Sequence, residues 1–396
     1  MLDAINTAVS GLDGFAKGLQ VISNNVTNMN TPGFKGSNVN FEDQLASPYD
    51  GAAASSNRGG GLDAYAVTLD LSSGQTVQSS NPLAVAVSGN GLFVLQDEAG
   101  HTHYTRDGEF QFNSSGYLTV PDGKTRVMAL QDDGSLAAIS NNALRTNAPH
   151  PTATVSFSGN LSSTATSDTI SSVPVYDASG GVHDLSLAFA PASGSSSGGA
   201  SNSWTVTVTD GGQTVATGTL AFTDGKPTTG QSTISFSYTP SGGKAQTVAL
   251  DFSTNVTSFA AGTSSTLAVS NQDGYAAGTL TNATFDNTGT LSLTYSNGQT
   301  AKGPQLALAL YTAASDLTSR GNNEFDTKNG ATLQLGRAGA GAFGSIQANE
   351  YEGSNVDLSG EFSQLIIMQR GYQASSQLIS TANQMLQQLF SMDGQA

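Results

Sequence analysis

Hydrophobic residues recur at alternating spacings of three and four near both ends of the chain. Such spacing places one apolar stripe along a helix, and it is the pattern through which helices pack together. The stripe near the C-terminus consists of Leu365, Met368, Tyr372, Ser375, Ile379, Ala382, Leu386 and Leu389. The N-terminal stripe has an aliphatic residue every seven positions, at Ile5, Leu12, Leu19 and Val26, with Leu2, Val9 and Ala16 at the complementary positions and Ile22 widening it. The sequence therefore predicts one long helix at each end, with the two packed side by side through these stripes.

Two packed helices would not cover all of the apolar surface at the chain ends. Several large hydrophobic residues lie off the two stripes: Phe15, Phe362, Ile366, Ile367 and Phe390. Exposed apolar surface of this kind marks an interaction site, so we expect the helix pair to need a partner. The alternative at this point is a helix pair that packs only on its own β domain.

Between the two helices, apolar and polar residues alternate with a period of two, which is typical of antiparallel strands. Leu83–Val87 and Trp204–Val208 show the alternation, and Asn-Gly or Asp-Gly pairs separate many such runs. Asp107-Gly108 predicts a tight hairpin turn between Tyr104–Arg106 and Phe110–Phe112. The predicted fold class is mainly β with long terminal α-helices.

The β region contains two kinds of sequence. The stretch from Val155 to about Val269 is poorer in charge and richer in Thr and Ser than the sequence on either side. We expect it to form a β-sandwich or barrel that is inserted into a nested chain. The predicted domains are a helical coiled-coil domain (1–30 and 356–396), a connector (31–66), an inner β domain from two chain segments (67–147 and 271–355) and an inserted outer β domain (148–270).

The predicted connector begins where the first helix must end. Pro32 disfavours a helical conformation of the residue before it, and Gly33 favours a turn. Further along, Ala52–Gly61 is small and Gly-rich, which predicts a loosely ordered loop. We predict that Pro32, Gly33 and Phe34 form a hinge between the helices and the sheets.

Composition limits the possible functions. The 396 residues include 14 Lys and Arg against 30 Asp and Glu, for a formal net charge of −16. Nucleic acids and anionic membranes are bound mainly through Lys and Arg, so we expect neither partner. The chain has no Cys, which excludes disulfides and thiolate sites. We also expect no membrane-spanning segment and no cleaved secretory signal.

The sequence offers little for catalysis. Gly339–Gly344 matches the letters of a dinucleotide-binding fingerprint but lacks the strand before it and the helix after it. His101 and His103 could share one strand face, and we expect Tyr104 and solvent as their neighbours rather than a metal ion. Acidic residues are scattered singly near turn glycines. We therefore expect no enzymatic activity, no metal and no cofactor.

Both ends of the chain resemble those of a known family, the bacterial flagellar rod and hook proteins. The segments similar to its N-terminal signature are Ala8–Leu12, Ile22–Asn28 and Asn30–Lys35, and those similar to its C-terminal signature are Ser354–Ser359 and Met368–Gln373. In the interior, Tyr104–Gly108 resembles part of the shared inner β domain, and Asp273–Leu280 and Tyr295–Gln299 resemble the hook members in particular. The resemblance covers most of the chain and is weakest in the middle block.

The resemblance implies a subunit of the flagellar hook, a helical tube that acts as a universal joint between motor and filament. The terminal helices would line the tube, the inner β domain would form its wall, and the inserted domain would face outward. The implied partners are many copies of the chain, the rod, hook–filament junction and hook cap proteins, and the flagellar export apparatus. The implied location is outside the cell, without a cleaved signal. The predicted assembly contacts are Ile5, Leu12, Leu19, Val26, Leu365, Met368, Tyr372, Ile379, Leu386 and Leu389.

Two alternatives stay open at this point. The nearer one is a distal rod protein or another axial subunit of the same family, although the large inserted block favours the hook. The more distant one is a secreted β-sandwich adhesin, which would have no need of the terminal helices.

Overall fold

The computed structural model describes residues 2–45, 59–192, 202–241, 243–328 and 331–393. An α-helix lies at each end of the described chain, α1 over Leu2–Thr27 and α2 over Leu358–Asp393. The described residues between them form mainly β-strands joined by turns. The predicted fold class, mainly β with a long helix at each end, is confirmed.

The strands are short and follow one another closely along the chain. In chain order they are β1 Ser37–Leu45, β2 Gly59–Leu69, β3 Thr76–Gln78, β4 Val85–Ser88, β5 Leu92–Gln96, β6 Thr102–Thr105, β7 Gln111–Phe112, β8 Leu118–Thr119, β9 Arg126–Leu130, β10 Leu136–Ala138, β11 Thr146–Asn147, β12 Thr154–Asn160, β13 Asp168–Tyr176, β14 Val182–Pro191, β15 Asn202–Asp210, β16 Gln213–Thr223, β17 Lys226–Pro227, β18 Thr233–Tyr238, β19 Gln246–Asp251, β20 Val256–Thr257, β21 Ala268–Gln272, β22 Gly278–Phe285, β23 Thr290–Tyr295, β24 Thr300–Gln305, β25 Ala307–Leu310, β26 Leu317–Gly321, β27 Glu324–Thr327, β28 Gln334–Arg337, β29 Ser345–Ala348 and β30 Glu350–Glu352.

The chain forms two compact units. The first, called the helix-bearing unit below, consists of Met1–Leu144, Asn282–Leu293 and Ala301–Ala396. The second, called the sandwich unit, consists of Arg145–Thr281 and Thr294–Thr300. The strands β22, β23 and β24 contribute residues to both.

The sandwich unit contains two five-stranded sheets. One has the order β13-β14-β15-β16-β17, and the other has the order β18-β19-β12-β20 with β21 beside β12. Their inward-facing side chains share one core, in which the Phe252 ring lies 4.5 Å from Phe157 of β12 and 6.0 Å from Phe189 of β14. Two sheets with a common core form a β-sandwich.

The helix-bearing unit pairs strands that are far apart in sequence. Its largest sheet has the order β26-β27-β6-β5-β9-β8-β7, with β10 added at β9, β25 at β5 and β28 at β25. Beside it, β29 pairs with β4 and β30 pairs with β3. A hydrophobic core that includes Leu92, Val94 and Phe325 lies against this sheet. Segments from before and after the sandwich unit are thus joined by hydrogen bonds in the same sheets.

The predicted hairpin at Asp107-Gly108 is wrong. β6 pairs with β5 and β27, whereas β7 pairs with β8, so the strands on either side are not partners. Gly108 instead lies against Val85, whose N–H donates to Gly108 O at 3.1 Å. A Cβ on Gly108 would lie 1.7 Å from Val85 O, so the glycine is required for this close approach.

The predicted connector contains more regular structure than expected. β1 and β2 form an antiparallel hairpin whose register runs from the Ser37–Leu69 pair to the Leu45–Gly59 pair. The end of the predicted loose loop, residues 59–61, is therefore strand, and residues 52–58 lie outside the described part of the chain. Gly-rich composition concealed this strand because glycine contributes no apolar alternation.

Candidate functional site: the terminal helix pair and its root

The two terminal helices pack against each other in an antiparallel pair. Gly11 of α1 faces Ser375 of α2, whereas Gly18, two turns later in α1, faces Met368, two turns earlier in α2. At the end of α1, the Asn25 amide donates a hydrogen bond of 2.8 Å to the Glu361 carboxylate in the first turn of α2. The two ends of the described chain are thus held side by side within one molecule.

Glycines allow the helices to approach closely. A Cβ at Gly18 would lie 2.9 Å from Met368 Sδ, and a Cβ at Gly371 would lie 2.5 Å from the Phe15 ring. Each glycine costs about 1 kcal/mol of helix propensity relative to alanine, and the close packing offsets that cost. Hydrophobic periodicity does not reveal these contacts because glycine adds nothing to an apolar stripe.

The buried face of α1 is rotated from the predicted stripe. It consists of Ala8, Gly11, Gly14, Gly18, Ile22 and Asn25. The predicted contacts on α1 lie beside this face and are half-buried: Ile5, Leu12, Leu19 and Val26. Part of each of these side chains is therefore available to a neighbour, and their role in assembly stays a prediction.

The predicted stripe of α2 faces α1 more directly. Ser375 and Ala382 are buried in the pair, and Tyr372 is exposed at its edge. The remaining described members of the stripe are half-buried: Leu365, Met368, Ile379 and Leu386. The side chain of Leu389 lies outside the described residues. Their role in contacts between copies also stays a prediction.

The hydrophobic residues off the stripes fall into two groups. Phe362, Ile366 and Ile367 are exposed, as predicted. The expectation for Phe15 is wrong, because its ring is half-buried against Gly371 and lies 6.2 Å from the ring of Phe41 in β1. The side chain of Phe390 lies outside the described residues.

Exposed apolar residues surround α2 on several sides. At 3.6 residues per turn, Leu358 and Phe362 lie on one side of the row buried by α1. On the other side lies a second exposed set: Ile367, Leu378 and Met385. Leu378 and Met385 were not singled out by the sequence analysis, since they fall outside the a/d stripe. This helix therefore presents apolar surface to more than one direction beyond its partner α1.

The root of the helix pair, where both helices join the β-strands, is fixed by two asparagines. Asn25 donates to Ser37 O at 2.9 Å and accepts from Ser37 N at 3.0 Å. Asn355 accepts from Gly36 N at 2.8 Å and donates to Asp70 O at 2.8 Å. One asparagine belongs to the N-terminal signature and the other to the C-terminal signature. The two signatures therefore meet in space, because both asparagines bind the backbone of the segment that follows α1, at Gly36 and Ser37.

The predicted hinge residues are held by hydrogen bonds at this root. Gly33 has a φ of +66° and donates to Glu352 O at 2.7 Å. Pro32 O accepts from the Asn323 amide at 2.8 Å, and Phe34 N donates to Thr31 O at 3.3 Å. A hinge function for Pro32, Gly33 and Phe34 stays a prediction.

The two histidines differ in their surroundings: His101 is exposed to solvent, as expected, whereas His103 is not. His103 is buried, with Nδ1 2.5 Å from Asp326 Oδ1 and Nε2 3.3 Å from Asp97 Oδ2, and the Arg320 guanidinium also contacts its ring. These charged groups replace the predicted Tyr104 and solvent. His101 precedes β6 and also contacts the Asp97 carboxylate. Among the described residues, no group of three or more His, Cys, Asp or Glu side chains is arranged to hold a metal ion. In the same part of the chain, no helix is long and apolar enough to cross a bilayer.

Known protein families match most of the chain, and each match is to a flagellar protein. They are Flagella basal body rod protein over residues 5–35, Flagellar hook protein FlgE/F/G D1 domain over 86–158, Flagellar basal body protein FlaE D2 domain over 144–275, and Flagellar basal body rod FlgEFG protein C-terminal over 347–392. The first and last matches contain the two signatures that meet at the root.

Whole-length relatives identify the branch of this group. The flagellar hook protein FlgE of Salmonella typhimurium is 31% identical over 420 residues, covering 98% of this chain and 100% of the relative. FlgE of Escherichia coli is 30% identical with the same coverage, and FlgE of Borreliella burgdorferi is 28% identical over 98% of this chain and 99% of the relative. The chain therefore belongs to the flagellar hook protein family, as a structural subunit of the flagellar hook rather than an enzyme.

Proposed function

We propose that copies of this chain polymerise into a flexible helical tube, which passes motor torque to the filament while it bends. The observation that carries this proposal is the apolar surface left on α2 after α1 has packed against it. A helix that is apolar on several sides is stable in water only when further elements cover it. Neighbouring copies of the same helix pair are the partners that a hook polymer supplies.

The geometry of the pair leaves this surface uncovered within one chain. α1 has 26 residues and α2 has 36, so α1 covers only part of its partner's length. Ile367 and Leu378 are each 62% exposed. Complete burial of one such side chain contributes about 1.5–3 kcal/mol. Repeated in every copy of a polymer, such contacts favour assembly strongly.

The position of each domain in the tube is also part of the proposal. The helical domain (1–30 and 356–396) would line the tube as a coiled-coil layer, with its half-buried flank residues Ile5, Leu12, Leu19 and Val26 against neighbouring copies. The inner β domain (67–147 and 271–355) would form the wall, and the outer β domain (148–270) would face outward. The shared sheets of the helix-bearing unit and the separate core of the sandwich unit support this division.

The partners and the location follow from the same proposal. We infer contacts with rod, hook–filament junction and hook cap proteins at the two ends of the tube. We also infer passage through the flagellar export apparatus to the outside of the cell. The absence of Cys from the sequence suits a chain that is exported unfolded, because no disulfide can form before or after passage.

A distal rod subunit and an adhesin are the rival functions. The relatives that match the whole chain are hook proteins, which disfavours the rod. An adhesin would leave the apolar surface of α2 without a role.

The proposal can be tested by charging the exposed face of α2. We expect wild-type protein at raised concentration to form tubes, seen by light scattering and electron microscopy. Ile367→Asp and Leu378→Asp should each prevent assembly, because a carboxylate would be buried without a partner in the tube. Thermal melting of the monomers should be nearly unchanged, since both positions are exposed in the single chain.

The matched control is Gln377→Asp, which adds the same charge beside Leu378 at a position that is exposed and already polar. This variant should assemble like the wild type. Assembly of the Ile367→Asp and Leu378→Asp variants at the wild-type concentration would refute a role for this face in polymerisation.

A further inference from the structure

Three ionic side chains from distant parts of the sequence are buried together beneath the root of the helix pair. Lys35 follows α1, Arg106 follows β6, and Glu352 ends β30, six residues before α2. Lys35 Nζ lies 2.7 Å from Glu352 Oε1, and Arg106 Nη1 lies 3.0 Å from Glu352 Oε2. At most 2% of each side chain is exposed. We call these three residues the root triad.

The root triad also binds several stretches of backbone. Lys35 Nζ donates to Ser72 O at 2.6 Å, and Gly74 N donates to Glu352 Oε1 at 2.7 Å. The Arg106 guanidinium donates to Gly89 O at 2.6 Å and to Val87 O at 3.3 Å. The two cations and the single carboxylate leave one net positive charge. The backbone carbonyls of Ser72, Val87 and Gly89 stabilise this charge by accepting hydrogen bonds. Each of these hydrogen bonds has a fixed direction, so the triad defines angles as well as contacts.

The energetics favour a role in geometry over a role in stability. A buried ion pair is often no more stabilising than well-packed apolar side chains of the same volume, whereas separating its partners is strongly unfavourable. Burial lowers the pKa of the Lys35 ammonium, and Glu352 opposes that shift. Any movement that drew the chain after α1 away from the chain before α2 would leave a buried charge without a partner.

We infer that Lys35, Arg106 and Glu352 are positioning residues that make the helix pair and the sheets of the helix-bearing unit turn as one rigid body. On this view Pro32, Gly33 and Phe34 do not act as a hinge, because the Gly33 N–H donates a hydrogen bond to the backbone carbonyl of Glu352, a member of the triad. The inference rests on the proposed function. In the tube, torque would pass from the helical layer to the wall through the root triad, and bending would arise elsewhere.

The first test measures rigidity in the single chain and needs no polymer. Because the sequence has no Cys, Ser363→Cys on α2 and Lys124→Cys beside β9 provide two spin-label sites, both exposed. We expect a narrow distribution of label–label distances in this background. Adding Lys35→Met, Arg106→Met and Glu352→Met together should broaden the distribution at least twofold while leaving a cooperative thermal transition. A broad distribution without these three changes would overturn the inference.

Two further variants keep the test decisive. Arg106→Lys is the variant to use if the triple variant does not fold. It retains the positive charge but cannot bond to Glu352 and to Gly89 O with two separate nitrogens, so it should broaden the distance distribution by a smaller amount. Arg337→Met is the control, because it breaks an ion pair of the same unit with Asp132, which is 98% exposed. That control should leave the distribution unchanged. A triple or Arg106→Lys variant with the original narrow distribution would also overturn the inference.

The second test separates the inference from the proposed function. Tubes built from the triple variant should show a wider spread of the angle between helix layer and wall in electron micrographs, and at least twofold lower torsional stiffness. Tubes with wild-type stiffness and angles would show that the triad has no part in torque transmission. Failure of the wild-type chain to form tubes would instead refute the proposed function, while the distance distributions would still decide the rigidity of the root.

Discussion

The sandwich unit and the terminal helix pair use hydrophobic residues in different ways. In β15 of the sandwich unit, every second side chain is buried: Trp204, Val206 and Val208. These residues are covered completely by the two sheets of the same unit. In α2, by contrast, residues as large as Ile367 and Leu378 remain mostly exposed after α1 has packed.

The difference shows which part of the chain is complete by itself. A unit whose core residues are covered internally gains its stability without a partner, whereas exposed apolar surface on a helix favours association. Charge separates the two regions as well. The sandwich core is a hydrophobic cluster, but the root of the helix pair encloses the charged side chains of the root triad, Lys35, Arg106 and Glu352. We therefore expect mutations to act on stability in one region and on geometry or assembly in the other.

The largest effect on stability should come from the sandwich core. Phe189 is 1% exposed, and Phe189→Ala removes its contact with Phe252, so we expect a loss of about 3–5 kcal/mol. The chain has one tryptophan, Trp204, which is buried in the same core. Its fluorescence during urea unfolding therefore measures the stability of this unit.

The control for that measurement is Val182→Ala, since Val182 is exposed in the same unit and its truncation should change the midpoint very little. Assembly of the Phe189→Ala variant below its unfolding midpoint should be retained. A Phe189→Ala variant with wild-type stability would mean that the sandwich core is not closed as described. A variant that stayed folded but could not assemble would mean that the sandwich unit also takes part in assembly.

Hydrophobic periodicity predicted the two helices and the β body because both depend on local spacing. Part of the a/d stripe of α2 follows the same rule, since Met368 and Ser375 lie against Gly18 and Gly11 of α1. The contact face of α1 could not be read in this way, because its closest approaches are made by glycines. The root triad was also beyond sequence reasoning, since Lys35 and Glu352 are 317 positions apart and nothing in their spacing reveals the pairing.

A smaller effect on the free energy of unfolding should follow when a side chain is added at the glycine contact between α1 and α2. Gly371→Ala raises helix propensity by about 1 kcal/mol, but the new Cβ would lie 2.5 Å from the Phe15 ring. Overpacking of a rigid contact typically costs about 1–3 kcal/mol, so we expect no net gain and up to about 2 kcal/mol of destabilisation. Urea unfolding followed by circular dichroism at 222 nm measures the result.

A double-mutant cycle provides the control for this contact. In a Phe15→Ala background the ring is gone, and Gly371→Ala should then stabilise α2 by the propensity difference alone. If Gly371→Ala were equally stabilising in both backgrounds, the glycine would not be needed for the approach of the two helices.

The smallest effect concerns charge at the base of the helix pair and depends on pH. Burial raises the pKa of the Asp107 carboxyl to about 6, from an ordinary value of 3.8. The folded state therefore binds this proton more tightly than the unfolded state, so the resulting stabilisation is complete below about pH 4 and is lost as the pH rises through 6. Asp107→Asn removes the titration and keeps an acceptor for Glu109 N, which lies 3.0 Å from Asp107 Oδ1. Relative to wild type, the free energy of unfolding of the variant should rise by about 1–2 kcal/mol between pH 4 and pH 7.5, after allowing for the partial exposure of the side chain.

Asp133→Asn is the matched control with the opposite sign, because hydrogen bonds from the Ser135 hydroxyl and backbone lower the pKa of Asp133 in an exposed turn. A pH profile for Asp107→Asn parallel to that of wild type would mean that the buried charge has no energetic cost, and the contrast with the uncharged sandwich core would then concern geometry alone.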